Sequence, residues 1–337
     1  MKTKLPVGII GLGRMGRIYA KHLATSSKAQ IIGVSGVVES KTEKFAEEFD
    51  SKYWSTDFYT ILDNSDIKAV FIASPTNTHT QIIIAAAKAG KAIFCEKPIA
   101  LTLEETNEII SVLEKSCTFL QVGFMRRFDP GYMEAKKQID AGKIGKPVTF
   151  KSIGRDPFCP PLEYADPKVS GGLILDMAIH DFDLARWLMG TEIRRVYCEG
   201  GTLAFSQLNE VGDIDNAVIN ILFENNSIGN VEVSRNAVYG YDIRTEILGT
   251  KGGLNIGYYR QTPLLILSNT GITYDMVPYL HERFGEAYLN QVEDFLDRVI
   301  NDKKPAVDIY DARSALAIAL AANRSYNDSI PIDLNYY

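Results

Sequence analysis

The sequence predicts an α/β protein of two domains: an N-terminal doubly wound, parallel-sheet domain over residues 1–122, and a second α+β domain over residues 123–337 built on a large, mostly antiparallel sheet. Three observations predict it. The apolar stretch Val7-Gly8-Ile9-Ile10 runs directly into a glycine-rich turn, Gly11-Leu12-Gly13-Arg14-Met15-Gly16. Strand-length apolar runs then alternate with helix-length segments as far as residue 122, the rhythm of a parallel sheet wound through helices. Beyond residue 147 the pattern becomes short strand-like runs separated by turn signals, the rhythm of antiparallel pairing.

Residues 7–10 read as the first strand, and the turn after them has the G-x-G-x-x-G form that opens a helix through Ile18, His22 and Leu23. Gly11 permits a tight turn, Gly13 lets backbone approach a pyrophosphate, and Gly16 lets the helix pack close to the strand, so a phosphate meets a helix N-terminus. The context is that of a Rossmann dinucleotide site. Residues 30–35 form the second strand. An NAD site usually carries an acid where that strand ends, to accept bonds from the adenosine ribose; here Gly36 stands there and the first acid is Glu39. Lys41 and Lys44 are the basic residues nearest to a 2′-phosphate position, although a solvated helix face explains them equally well, so NADP stays open beside NAD.

Residues 69–73 are a fully apolar strand followed by the polar loop Ser74-Pro75-Thr76-Asn77-Thr78-His79 and a helix over 81–89 that Gly90 ends. His79 is open to three roles: base, helix cap or cofactor contact. Residues 91–95 give another buried strand, and Glu96-Lys97-Pro98 turns the chain into a helix whose start is marked by Thr102 and Glu105 as a capping box. Lys97 thus lies at the carboxyl end of a strand, where open α/β sheets bind ligands. Residues 119–123 close the sheet. In the second domain the strand-like runs are 148–153, 195–200, 217–223, 227–233, 244–248, 253–256 and 264–267, with one amphipathic helix at 173–189 ended by Gly190, and two C-terminal helices at 286–300 and 309–323. Within the 173–189 helix, Asp176 and His180 are four apart and share a face. Such a carboxylate can orient an imidazole that takes a proton from an alcohol as hydride departs. A packed histidine bonded to Asp beside Leu184, Trp187 and Leu188 is the alternative. Metal ligation is not expected, since the chain has four histidines and no cysteine cluster.

Composition narrows the function further. A net charge of -6 argues against nucleic-acid or anionic-membrane binding, and hydrophobic and charged contents of 46% and 23% are those of a soluble globular protein. Cys95, Cys117, Cys159 and Cys198 are widely spaced and read as reduced thiols. No apolar run approaches the roughly 20 residues of a membrane-spanning helix and no leader pattern is visible, so the expected location is cytoplasmic and the expected partners are small molecules or further copies of the chain.

Together, G-L-G-R-M-G, S-P-T-N-T-H, C-E-K-P and D-M-A-I-H resemble the Gfo/Idh/MocA oxidoreductases over nearly the whole chain. More narrowly, Gln121-Val122-Gly123-Phe124-Met125-Arg126-Arg127-Phe128-Asp129 with Gly131-Tyr132, then Arg155-Asp156-Pro157 and Tyr239-Gly240-Tyr241-Asp242-Ile243, look like the inositol 2-dehydrogenases of that family. The resemblance implies NAD-dependent oxidation of a ring hydroxyl of scyllo- or myo-inositol. It implies His180 as general base, Asp176 as its orienting partner and a substrate ligand, and Lys97 as donor to the reacting hydroxyl. Arg127, Asp156 and Tyr241 would contact other hydroxyls, and Asp156 stands where a relative may carry Asn, a departure that bears on the isomer. The cofactor set is Gly11, Gly13, Arg14, Met15, Gly16, Glu39, Ser74, Thr76, Asn77, His79, Glu96 and Lys97. A homotetramer built through the second domain's sheet is also implied. Another cyclic polyol or sugar is the alternative substrate, and a noncatalytic dinucleotide sensor the alternative class.

Overall fold

The computed structural model describes residues 4–334. They form two compact units. The first runs to Met125 and also takes in Ala287–Arg313; the second runs from Arg126 to Glu286 and resumes at Ser314.

In the first unit, strands β1 (Leu5–Ile10), β2 (Ala29–Ser35), β3 (Tyr53–Ser55), β4 (Ala69–Ile72), β5 (Ala92–Cys95) and β6 (Leu120–Val122) form one sheet in the order β3-β2-β1-β4-β5-β6, with every pair parallel. The order reverses at β1, and β4 pairs on its other side. Helices α1 (Arg14–Thr25), α2 (Glu39–Glu48), α3 (Phe58–Leu62), α4 (His79–Lys88) and α5 (Leu103–Ser116) connect the strands. All four residues of β4 are buried, as a strand covered on both faces requires. The capping box at the start of α5 is formed, with Glu105 N–H donating to Thr102 Oγ1 and the Glu105 carboxylate accepting from the Thr102 amide. Gly90 follows α4 in the left-handed region at φ 68°.

Sequence pattern alone places the change of organisation at 122/123, whereas packing returns residues 287–313 to the first unit. The reason is aromatic and polar. Phe295 meets Phe71, Phe94 and Phe119 edge-on at ring separations of 4.9, 5.7 and 5.6 Å. Gln121 binds Asp294 and the Ala306 amide, and the Val122 amide donates to the Val307 carbonyl.

In the second unit, α6 (Pro130–Asp140) precedes β7 (Pro147–Arg155), the one-turn helices α7 (Leu162–Ala165) and α8 (Pro167–Ser170), and α9 (Ile179–Met189). Then come β8 (Ile193–Gly201), β9 (Asn216–Phe223), β10 (Ile228–Ser234), β11 (Asp242–Gly249) and β12 (Gly252–Ile256). A small hairpin of β13 (Ile266–Ser268) and β14 (Gly271–Thr273) precedes α10 (Leu280–Ile300), α11 (Ile309–Asp328) and β15 (Ile332–Asp333). Seven strands form one sheet in the order β12-β11-β7-β10-β9-β8-β15, antiparallel except for the parallel pair β7–β10. Ile219, Ile221, Val231, Val233, Phe150 and Ile247 alternate into the buried face, and α9 packs on β7 and β10. The run at 264–267 joins the separate hairpin rather than this sheet. The helix expected over 173–189 is a π turn at Ile174–Ala178 continuing into α9, and Gly190 caps it at φ 64°.

Candidate active site

Register alone sets the first half of the site. Ile10 pairs with Ser35 and Ile72, Ile72 with Cys95, and Cys95 with Val122, so Gly11, Gly36, Ala73, Glu96 and Gly123 stand level at the carboxyl edge of the parallel sheet. Gly11 has φ 93°, and a Cβ there would lie 2.4 Å from the Ser74 amide nitrogen; a Cβ on Gly16 would lie 2.0 Å from the Gly11 carbonyl oxygen. Gly13 is different, because a Cβ there would meet nothing within 4 Å. Gly11 and Gly16 are therefore fixed by the turn itself, while Gly13 keeps a surface clear. Gly13 is also the N-cap of α1 and supplies no side-chain cap, so the first amides of a 12-residue helix face outward beside Arg14 and Met15, which suits a pyrophosphate. The arrangement fits a dinucleotide.

Glu39 lies in the first turn of α2, exposed. A Cβ on Gly36 would fall 2.9 Å from Thr42 Oγ1 and 3.0 Å from a Leu12 methyl, which accounts for the lack of a larger residue where β2 ends. The loop after β4 is tied by Ser74 Oγ and Thr78 Oγ1 at 2.7 Å, with Thr76 half-buried and Asn77 exposed. His79 is buried, with Nδ1 2.8 Å from the Pro98 carbonyl oxygen and Nε2 2.9 Å from that of Ser74. Burial pushes its pKa down. With both ring nitrogens against backbone carbonyls, His79 bridges the loops that follow β4 and β5. Lys97, half-buried, follows β5 at the corner, where the Lys97–Pro98 peptide is cis. Its neighbour Glu96 turns inward: Tyr19 Oη donates to Oε1 and the Lys97 amide donates to Oε2 at 3.0 Å. Burial raises the Glu96 carboxyl above its ordinary range despite the nearby Tyr19 and Lys97, and raises the Tyr19 phenol well above its own.

The second unit carries the other residues that the sequence singles out. Asp156 follows the last residue of β7, and its amide donates to Ser234, the last residue of the parallel strand β10. Tyr241 directly precedes β11, whose first residue Asp242 pairs with Arg155. Asp156 and Tyr241 thus share one end of the mixed sheet. The Tyr241 ring is fixed edge-on against Tyr279 and Phe284. Arg127 is forked onto Asp183 of α9, with Nε 2.8 Å from Oδ2, and lies over Trp187. Its neighbour Arg126 is buried on Asp181, which also accepts from Ser152. Asp176 belongs to the π turn and His180, buried, to the first turn of α9. π turns often mark functional sites.

Two residues of this region are not singled out by the sequence. Tyr164 Oη donates to Asp176 Oδ1 at 2.9 Å, and Arg235, the residue after β10, brings Nη2 to 3.7 Å from Asp176 Oδ2. Arg235 also ion-pairs with Asp213 at 2.7 Å, and Asp213 accepts the Leu173 amide at the approach to the π turn. Burial raises the Asp213 carboxyl even so. Asp215 is partly desolvated too, but the amides of Leu203, Ala204 and Phe205 bring its carboxyl below the usual range.

Known proteins match both halves. Residues 5–124 fit the profile described as "Oxidoreductase family, NAD-binding Rossmann fold" and residues 136–334 the profile described as "Oxidoreductase family, C-terminal alpha/beta domain". The chain is 41% identical to the scyllo-inositol 2-dehydrogenase (NAD(+)) of Bacillus subtilis, over 99% of this chain and 98% of that one. It is 36% identical to the myo-inositol 2-dehydrogenase of Thermotoga maritima, over 97% and 98% respectively. The structure of scyllo-inositol dehydrogenase from Lactobacillus casei with bound NAD(H) and scyllo-inositol superposes with a TM-score of 0.93 at 32% identity, covering 98% of this chain and 99% of that one. With both domains matched and such relatives aligned over their whole length, the chain belongs to the Gfo/Idh/MocA family of oxidoreductases and carries its NAD-binding domain.

Proposed function

We propose that the protein is an NAD-dependent inositol 2-dehydrogenase that oxidises one ring hydroxyl of scyllo-inositol, or of myo-inositol, to a keto-inositol. The observation that carries this reading is the full-length likeness to inositol dehydrogenases in a chain whose sequence also contains Lys97, Asp176 and His180 within C-E-K-P and D-M-A-I-H. NAD, when bound, accepts the hydride. His180 takes the hydroxyl proton, and Asp176 keeps the imidazole oriented and accepts a bond from a neighbouring hydroxyl. Lys97 donates to the reacting oxygen and balances charge that builds there. Arg127, Asp156 and Tyr241 bind other hydroxyls; Asp183 fixes the direction in which Arg127 presents its guanidinium. Six polar groups exceed what a simple alcohol needs, and each loses hydration when a ligand binds unless that ligand has a hydroxyl for it, which favours a polyol ring. An ionised Asp156 only accepts, a constraint that tilts the reading towards the scyllo isomer. The enzyme acts as a homotetramer in the cytoplasm.

Specificity constants for scyllo-inositol, myo-inositol and glucose, each with NAD and with NADP, test the assignment on one preparation. Either inositol should lead with NAD. Glucose outperforming both would defeat the substrate, and faster turnover with NADP would direct attention to Lys41 and Lys44. Cofactor binding with no turnover of any polyol would leave a sensor.

A further inference from the structure

Arg235 is 1% exposed, yet the ion pair with Asp213 engages only Nη1. Nη2 is fully buried and makes no hydrogen bond among the described residues, and the carboxylate of Asp176 lies 3.7 Å from it. A buried guanidinium nitrogen without an acceptor carries a desolvation cost that the single bond to Asp213 does not offset. The two oxygens of Asp176 have different neighbours: Oδ1 receives Tyr164 Oη and Oδ2 faces the cation.

We propose that Arg235 is a positioning residue for the oxidation, holding the Asp176 carboxylate as an anion and fixing its direction through the Asp213–Arg235–Asp176 array. The inference rests on the role assigned to Asp176 above. Arg235 reaches this place because β10 ends at Ser234, and its backbone is set by a 2.9 Å bond from its amide to the Asp215 carbonyl. Asp213 in turn holds the Leu173 amide, so one carboxylate fixes both the arginine and the entry to the π turn that carries Asp176. Tyr164 and Arg235 face Asp176 and Asp213 lies near it, with His180 four residues on; Cys159 and Asp215 stand near Arg235. Arg235 is a permanent cation. Its removal makes the carboxylate easier to protonate.

Arg235→Met alone would leave Asp213 buried without a counter-ion and risks the fold. The informative comparison is therefore Arg235→Met/Asp213→Asn against Asp213→Asn, since Asn retains an acceptor for Leu173. Two quantities are read: titration of the Asp176 carboxyl by carbon-13 NMR of aspartate-labelled protein, assigned by its absence in Asp176→Asn, and the pH profile of kcat/KM. In the double variant the Asp176 titration should rise by about one pH unit or more. The acid limb of kcat/KM should move the same way, with kcat/KM lowered roughly 10- to 100-fold and cofactor affinity retained. An unmoved titration in a folded double variant overturns the proposal whether or not the protein oxidises inositol. A moved titration with unchanged kcat/KM also overturns it, confining Arg235 to structure. Failure of the wild type on every inositol would instead count against the assigned substrate, and the titration would still decide the role of Arg235.

Discussion

Glu96 and Lys97 are adjacent in sequence, and burial separates their tasks. Lys97 stands at the strand end, half-buried, while Glu96 is enclosed against Tyr19 and its own following amide. Burial raises the Glu96 carboxyl above its ordinary 4.5, so the folded chain holds that proton more tightly than the unfolded chain. A raised folded pKa gives stability that is complete below the unfolded value and is lost as pH climbs through the folded one. Glu96→Gln never ionises, and its cost in the bond to Lys97 N–H is a constant offset. Its urea midpoint should therefore gain on that of wild type as pH rises above about 4.5; parallel midpoints across that range would show that Glu96 is not strained by burial. His180 carries the opposite kind of expectation. His180→Ala should lower kcat by roughly 100-fold or more, the usual size of a general base, with NADH affinity little changed, and Lys97→Ala should damage both kcat and KM. Near-normal turnover by His180→Ala would remove the base from the scheme.

Local rules carry some of these elements and not others. The glycine turn, the Thr102–Glu105 box and the left-handed Gly90 and Gly190 are legible because each is a short-range requirement written in two to six residues. Strand β3 is not, because three half-exposed residues leave no period to read. Helix α6 is absent from the expected elements, although Asp129-Pro130 is an N-cap followed by proline in the first turn, because the same letters read as part of a motif. Only the structure shows that Asp129, besides capping α6, pairs with the buried Arg283 at 2.7 Å. Asp176 and His180 are visible through their spacing, whereas the π turn that carries Asp176 is not, since the bond at its start, from Leu173 to Asp213, comes from a distant loop. Arg235 was invisible for the same reason: nothing in Val233-Ser234-Arg235 says that a cation at a strand end is enclosed, because its partners arrive from β9's approach and from the π turn. His79 could be named but not assigned, as its two carbonyl partners lie on separate loops.

Across the whole molecule, the mixed sheet has two unlike faces. One is covered by α9, while the other presents Val218, Ile228 and Leu248, all more than 40% exposed, among Asn220, Lys151 and Glu246. Strand alternation forces this, because each buried residue of β9 and β11 has outward-facing neighbours. A mixed apolar and polar face of that kind is suited to a second copy of the same sheet, since symmetric association buries one patch against itself. Light scattering on a sizing column should accordingly give a particle of four times the 37.4 kDa chain. Val218→Asp with Leu248→Arg should shift the population to smaller species without loss of secondary structure, because both side chains are already in water in the isolated chain and their replacement leaves its core intact. If the unaltered protein runs as a monomer, the tetramer is wrong and the open face needs another explanation. If the double variant remains a tetramer, association uses a different surface.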